Sequence, residues 1–131
     1  ARGTIGGDMA QVLIVEDEPD VLLLLENRVR AAGHDVESVT DGETAIEILA
    51  ERRPAVIVLD WMMPRVSGID VLERLRVDDP EHAVKVLMLT AKSQQSDIDR
   101  AYAAGADDYI VKPFSSRDLI ERIAVLADAP Q

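Results

Sequence analysis

Short apolar runs of this chain end in polar side chains whose types suit phosphoryl chemistry beside a metal ion. Glu16 and Asp17 follow the first run, Asp60 follows the third, and Thr90 and Lys112 follow the fourth and fifth. Carboxylates are hard oxygen ligands for Mg²⁺, and a carboxylate that attacks phosphorus forms an acyl phosphate. A divalent ion, an ammonium and a hydroxyl would match the three peripheral oxygens of a transferred phosphoryl group. These residues are therefore the candidates for chemistry.

The elements that must position these residues alternate strictly between apolar runs and segments with helical periodicity. Parallel strands joined by helices have all their carboxyl ends at one edge, where open α/β sheets bind ligands. We therefore predict an α/β fold with a doubly wound, five-stranded parallel sheet. The runs are Gln11–Val15, Asp35–Val39, Val56–Leu59, Lys85–Leu89 and Tyr109–Val111, and the helical segments are 19–32, 42–51, 67–77, 94–104 and 116–127.

Boundary residues support this division. Pro19 suits a first helical turn, and Gly33 and Gly105 suit positions just past a helix end. Ser67 and Ser115 are each followed three residues later by Asp, a spacing typical of a helix-capping box.

The bulk composition excludes several classes of site. The chain has 131 residues, enough for one domain, and its net charge of −11 disfavours contact of this segment with nucleic acid phosphates. The absence of cysteine excludes disulfides, zinc thiolate sites and cysteine nucleophiles. No apolar stretch is long enough to span a membrane and no signal peptide is visible. We therefore expect a cytoplasmic protein that does not associate with membranes.

The two ends of the chain have different patterns from its centre. Residues 1–8 are rich in glycine and show no periodicity, and we expect a vector-derived or flexible arm there. The domain is expected to span residues 9–127. Residues 128–131 are expected to start a linker or to end the expressed segment.

Six motifs occur in order on the expected elements, and together they resemble the receiver domain of two-component response regulators. The resemblance covers about residues 10–127 and includes features of the OmpR/PhoB subfamily. It implies a flavodoxin-like (βα)5 fold with strand order 2-1-3-4-5. The motifs are Val15–Pro19, Leu59–Pro64, Ser67-Gly68, Leu89–Ala91, Gly105–Tyr109 and Val111–Phe114.

The resemblance implies a metal-assisted phosphoacceptor site. Asp60 is implied as the phosphoacceptor and as one Mg²⁺ ligand, with Asp17 as a second direct ligand. Glu16 is implied to act mainly through water, and the backbone carbonyl of Met62 is implied as a further ligand. Mn²⁺ is expected to be able to replace Mg²⁺. Without the resemblance, Glu16 and Asp17 would be read as acids that cap the following helix.

The resemblance also implies a switch beside this site. Thr90 is implied to contact the phosphoryl group and to move on activation, with Tyr109 turning inward beside it. Lys112 is implied to bind phosphoryl oxygens, and the bond between Lys112 and Pro113 is implied to be cis. Each residue alone has a plainer reading: Thr90 as a strand end, Lys112 as a solvated side chain and Tyr109 as core packing.

The implied partners are a sensor histidine kinase or a phosphotransfer protein, as in a phosphorelay. Phosphorylation would change the face formed by the fourth helix, fifth strand and fifth helix, and so control an output domain, for example in transcription regulation. A stand-alone receiver that acts through protein–protein contact remains an alternative. Five charged residues of this face resemble those of phosphorylation-dependent homodimers; a solvated surface is the alternative, and we favour the dimer. They are Arg100, Asp107, Asp108, Asp118 and Arg122.

Other functions of this fold class fit the residues less well. A Mg²⁺-dependent phosphatase of the haloacid dehalogenase type would carry an acid two residues after Asp60, where this chain has Met62. A nucleotide binder would need a phosphate loop rich in Ser, Thr and Gly after the first strand, which here is acidic. A pseudo-receiver would lack part of the site. We therefore expect a signalling domain rather than an enzyme.

Met62 also suggests how long a phosphoryl group would persist. Receivers that lose it quickly resemble this chain but carry an amide or an acid at this position, and a thioether orients an attacking water poorly. We therefore expect a comparatively long-lived phosphorylated form. His34 and His82 are expected to be exposed and without a catalytic role, and Trp61 is expected at the rim of the site.

Overall fold

The computed structural model describes residues 10–129, in which five strands alternate with five helices. The sheet has the order β2-β1-β3-β4-β5, and all neighbouring strands are parallel. The predicted fold class and strand order are therefore confirmed. The strands are β1 Gln11–Val15, β2 Asp35–Val39, β3 Val56–Asp60, β4 Lys85–Thr90 and β5 Asp108–Val111, and the helices are α1 Pro19–Ala31, α2 Gly42–Glu51, α3 Gly68–Asp78, α4 Gln95–Ala104 and α5 Ser116–Asp128.

The hydrophobic core lies on both faces of the sheet. Helices α1 and α5 cover one face with residues such as Leu25 and Ile123, and α2, α3 and α4 cover the other with residues such as Leu49 and Leu72. Strands β3 and β4 are buried at every position. Burial on both faces explains why these two strands read as continuous apolar runs rather than as alternating ones.

Helix ends are fixed by the residues that the sequence marks. Ser67 and Asp70 form a reciprocal capping box, in which the Ser67 hydroxyl accepts from the Asp70 N–H and the Asp70 carboxylate accepts from the Ser67 N–H. The Ser115 hydroxyl accepts from the Asp118 N–H at the start of α5. Gly33 has a φ of 98°, a left-handed conformation that glycine adopts without strain at the end of α1.

Both histidines were expected to be exposed. This is wrong for His34, and His82 is only partly exposed. His34 is buried, and its Nδ1 accepts a hydrogen bond at 3.1 Å from the N–H of Ala10, which precedes β1. His82 is half-buried, and its Nδ1 lies 2.7 Å from Oδ1 of Asp107. Both rings therefore serve the fold.

The domain boundaries are only partly open to comparison. The expectations for residues 1–8 and for residues 130–131 lie outside the described residues. Helix α5 continues to Asp128, one residue past the expected end of the domain. Within residues 10–129, no helix combines the length and the apolar character that a bilayer crossing requires.

Candidate functional site

Strands β1 and β3 bring three carboxylates together at the carboxyl edge of the sheet. The two strands pair in parallel with Val15 opposite Leu59, so the residues that follow them lie side by side. One oxygen each of Glu16, Asp17 and Asp60 lies within 4.8 Å of the other two. Glu16 and Asp60 are buried, whereas Asp17 is half-buried. The three predicted metal ligands with side-chain oxygens therefore form one cluster.

Lys112 supplies a positive charge to this cluster. Its Nζ lies 3.4 Å from both Oε1 of Glu16 and Oδ1 of Asp60. Burial acts to lower the pKa of Lys112, but the charges of Asp60 and Glu16 outweigh it and raise the pKa above its ordinary value. The backbone is held as well, because the Lys112 N–H donates to the Thr90 carbonyl at 2.8 Å and the Lys112–Pro113 peptide bond is cis.

One ammonium does not balance three carboxylates. The pKa of Asp60 is raised from 3.8 to about 7, because burial and the neighbouring charges of Glu16 and Asp17 raise it more than Lys112 lowers it. A cation at the cluster would offset this excess of negative charge. The donor set consists of carboxylate oxygens, which are the ligands that Mg²⁺ prefers. The residues present therefore fit the implied ion.

The start of α3 fixes the backbone beside Asp60. The Gly68 N–H donates to the Trp61 carbonyl at 2.8 Å. A Cβ at Gly68 would lie 2.3 Å from the Asp60 carbonyl oxygen and 2.8 Å from the Trp61 Cα, closer than any real contact. Glycine is therefore required here because α3 begins directly against the backbone of the site.

An open cleft of about 300 Å³ lies over the cluster. It gives access to the otherwise buried carboxylate of Asp60, and the exposed side chain of Met62 forms part of its rim. The cleft is lined by Asp17, Glu18, Asp60, Met62, Ala91 and Lys112.

The predicted switch residues meet at one loop residue, Lys92. Thr90 is fully buried at the end of β4, and its hydroxyl accepts from the Lys92 N–H at 3.1 Å. Tyr109 is also buried, and its hydroxyl donates to the Lys92 carbonyl at 2.6 Å. Tyr109 is thus turned inward in this structure. The sequence did not indicate Lys92, because backbone atoms make both contacts and these carry no residue-type pattern.

The predicted interface residues separate into two sets. Arg122 is paired within the chain, with Asp108 at 2.8 Å and Asp118 at 3.0 Å, and these three lie together on β5 and α5. Arg100 lies apart from them and pairs with Glu73 of α3 at 3.0 Å.

Asp107 faces a different part of the molecule. Its carboxylate accepts from Arg76 at 2.8 Å and from the Val86 N–H at 2.7 Å, and it contacts His82. We therefore remove Asp107 from the proposed interface, because its carboxylate is committed to this internal network.

Comparison with known proteins decides the family. The family described as "Response regulator receiver domain" matches residues 12–124. The chain belongs to this family. The phosphate regulon transcriptional regulatory protein PhoB of Rhizobium meliloti is 39% identical to this receiver domain over 118 residues, which are 90% of this chain and 52% of PhoB. Other matches are PhoB- and PhoP-type regulators, which confirms the OmpR/PhoB-like subfamily. The receiver domain spans about half the length of the curated relatives it matches.

Solved structures agree with this assignment. The Francisella response regulator 1452 receiver domain has a TM-score of 0.84 and 30% identity, covering 90% of this chain and 96% of that one. The receiver domain of the sensor histidine kinase PA1611 from Pseudomonas aeruginosa, which holds a magnesium ion in its active site cleft, has a TM-score of 0.79 and 30% identity over 88% of this chain and 94% of that one. The site of the present receiver domain lies at the switch point of this shared fold, between β1 and β3.

Proposed function

We propose that this receiver domain accepts a phosphoryl group on Asp60 with the help of Mg²⁺. The observation that carries the proposal is the cluster of Glu16, Asp17 and Asp60 beside the ammonium of Lys112, at the floor of an open cleft. The proposed donor is a phosphohistidine of a sensor histidine kinase or of a phosphotransfer protein. Such a donor would place the reaction in the cytoplasm.

The chemistry follows from the positions of these groups. An oxygen of Asp60 attacks phosphorus, an O–P bond forms as the P–N bond of the donor breaks, and the departing imidazole nitrogen takes up a proton. No general base is needed once the carboxylate of Asp60 is ionised, and the bound cation would favour that ionised form. The Lys112 ammonium binds a phosphoryl oxygen, and the Thr90 hydroxyl can donate to another.

The metal has a limited and defined role. Asp17, Asp60 and the Met62 carbonyl would hold Mg²⁺ directly, with Glu16 acting through water, and Mn²⁺ would substitute for it. The bound ion would neutralise charge on the phosphoryl oxygens. Glu16 is suited to an indirect role, because its Oε2 already accepts from the Glu18 N–H at 3.1 Å.

The output of the domain is proposed from its relatives. PhoB of R. meliloti is a transcriptional regulatory protein, and the receiver domain matches about half of it. We infer that phosphorylation of Asp60 changes the face formed by α4, β5 and α5, which then controls an output domain or a partner. Both conformations exist beforehand, and phosphorylation shifts their populations.

Trp61 is the single tryptophan and follows Asp60, so its fluorescence tests the site directly. We expect a change on titration with Mg²⁺ and a second change on addition of beryllofluoride, a phosphoryl analogue. The matched control is Asp60→Asn, which keeps the side-chain shape and removes the nucleophile. A parent protein without any response, or a variant with the same response, would contradict the proposal.

A further inference from the structure

Three residues from different elements close a ring of contacts beside the site. The Lys92 ammonium lies 5.2 Å from the centroid of the Trp61 ring. The Trp61 ring meets the Tyr109 ring edge-on, with centroids 6.5 Å apart and planes at 90°. The Tyr109 hydroxyl returns to the Lys92 carbonyl at 2.6 Å. The ring therefore joins the loop after β3, the loop after β4, and β5.

Lys92 takes part in this ring with both its backbone and its side chain. The backbone N–H donates to the Thr90 hydroxyl oxygen and the carbonyl accepts from Tyr109. Any residue type could make these two bonds, provided that the loop stays in place. The ammonium over Trp61 is what this particular side chain adds. The Lys92 ammonium also has a charged neighbour, because its Nζ lies 4.0 Å from Oδ1 of Asp97.

We propose that the Lys92 side chain is a positioning residue that holds the loop after β4 over Trp61, and so keeps Tyr109 turned inward before any phosphoryl group binds. The proposal rests on the proposed function in one respect, that the position of Tyr109 distinguishes the two states of the switch. The contact between Lys92 and Trp61 adds a bias towards the inward state that is independent of Asp60.

The size of this bias follows from the exposure of the contact. The Lys92 side chain is 35% exposed, so its attraction to the ring is that of a partly solvated cation–π pair. Such a pair changes an equilibrium about two- to fivefold. A contact shifts a population only if it is made in one state and not in the other. Here the Tyr109 hydroxyl needs the Lys92 carbonyl in place, so the two contacts favour the same state.

The chain contains two tyrosines, which allows a direct measurement of Tyr109. The protein is labelled with 3-fluorotyrosine and observed by fluorine NMR without Mg²⁺ or any phosphoryl donor, and Tyr102→Phe assigns the two resonances. We expect Lys92→Met to move the Tyr109 resonance towards that of an exposed tyrosine, with the ratio of inward to outward states reduced about two- to fivefold. Trp61→Leu is expected to act in the same direction.

Two matched variants separate the ring contact from other roles of Lys92. Lys92→Arg keeps a cation that stacks on tryptophan and should restore the parent spectrum. Asp97→Asn removes the neighbouring charge and should leave the Tyr109 resonance in place. An unchanged Tyr109 resonance in Lys92→Met, or the same loss in Asp97→Asn, overturns the proposal.

Failure of the proposed function would be visible separately. These spectra contain no metal and no phosphoryl group, so they do not depend on chemistry at Asp60. A parent protein whose Trp61 fluorescence ignores beryllofluoride would refute the phosphoacceptor site and leave the comparison of Lys92 variants intact.

Discussion

Asp60 is a buried carboxylate whose acidic neighbours are only partly balanced by Lys112. This imbalance makes the stability of the fold depend on pH. Its pKa in the folded protein is about 7, against 3.8 for an ordinary aspartate. The folded state therefore holds a proton that the unfolded state has released between these two values. By linkage, stability falls as the pH rises from about 4 to about 7, and the loss is complete above pH 7. The ionised carboxylate of Asp60 therefore destabilises the fold when no metal is bound.

Asp60→Asn should accordingly stabilise the metal-free protein at alkaline pH. We expect the gain in free energy of unfolding to grow from near zero at pH 4 to about 2–4 kcal/mol at pH 8. Urea unfolding in EDTA measures it, and Mg²⁺ should narrow the difference by stabilising the parent alone. Asp20→Asn, on the exposed first turn of α1, should show no such gain. A variant that is less stable than the parent at pH 8 would contradict the assigned pKa.

We expect Met62 to lengthen the lifetime of the proposed phosphoryl group on Asp60. Its exposed side chain lines the cleft but offers no donor or acceptor that could orient water well. Met62→Asn should therefore lose the phosphoryl group severalfold faster than the parent. The decay of radiolabelled phosphoprotein after removal of the donor measures the rate. Val77→Asn, a change at another exposed apolar residue on α3, should decay as the parent does, and equal rates for Met62→Asn and the parent would count against this prediction.

Residue types at strand ends made most of the candidate site predictable. Asp60 and Lys112 are chemically conspicuous because each interrupts an apolar run, and strand order then brings them together. Lys92 was not predictable by the same logic. Two of its contacts use a backbone N–H and a carbonyl, which carry no residue-type pattern, and the Trp61 ring that its ammonium contacts is distant in sequence.

At the scale of elements, the sequence predicted every strand and helix, and the differences lie at their ends. β3, β4 and β5 each gain one polar residue, Asp60, Thr90 and Asp108 respectively. The apolar sequence pattern ends one residue before β3 and β4 end, because the last residue of each strand is polar. The backbone pairing between strands continues through that residue, since Asp60 pairs with Leu89 and Thr90 pairs with Val111. At the carboxyl ends of β3 and β4, the extra residue keeps Asp60 and Thr90 on a rigid strand rather than on a loop.

The network around Arg76 joins residues that are far apart in sequence, so the sequence pattern did not predict it. Arg76 of α3 is nearly buried and bridges Asp79 and Asp107, and it also donates to the carbonyls of Val84 and Gly105. Burial lowers the pKa of Arg76, and the two carboxylates oppose that effect. The partners are up to 31 residues apart in sequence. The sequence pattern predicted Asp107 at a surface, whereas its carboxylate links Arg76 of α3 to the start of β5.

At the scale of the whole molecule, two features affect whether two copies associate: the net negative charge, and the face of α5 on which Arg122 pairs with Asp108 and Asp118. With a net charge of −11, two copies repel each other at long range, so association requires specific contacts. Arg122 is the cation of that face, and in the single chain it is held by Asp108 and Asp118. In a symmetric pair it could instead meet the same carboxylates of a second copy. Both pairs remain partly open to solvent, and such pairs contribute modestly in a monomer, so this exchange costs little.

Arg122→Gln should therefore weaken a beryllofluoride-dependent dimer by at least roughly tenfold in dissociation constant, because it leaves acidic groups unpaired across the contact. Sedimentation velocity of parent and variant, with Mg²⁺ and with or without beryllofluoride, measures this. Arg117→Gln is the matched control, since Arg117 lies on the same helix and pairs with Glu121 at an exposed position. The Trp61 response should survive in both variants. A variant that dimerises like the parent, or a parent that stays monomeric, would place the output of this domain on another surface.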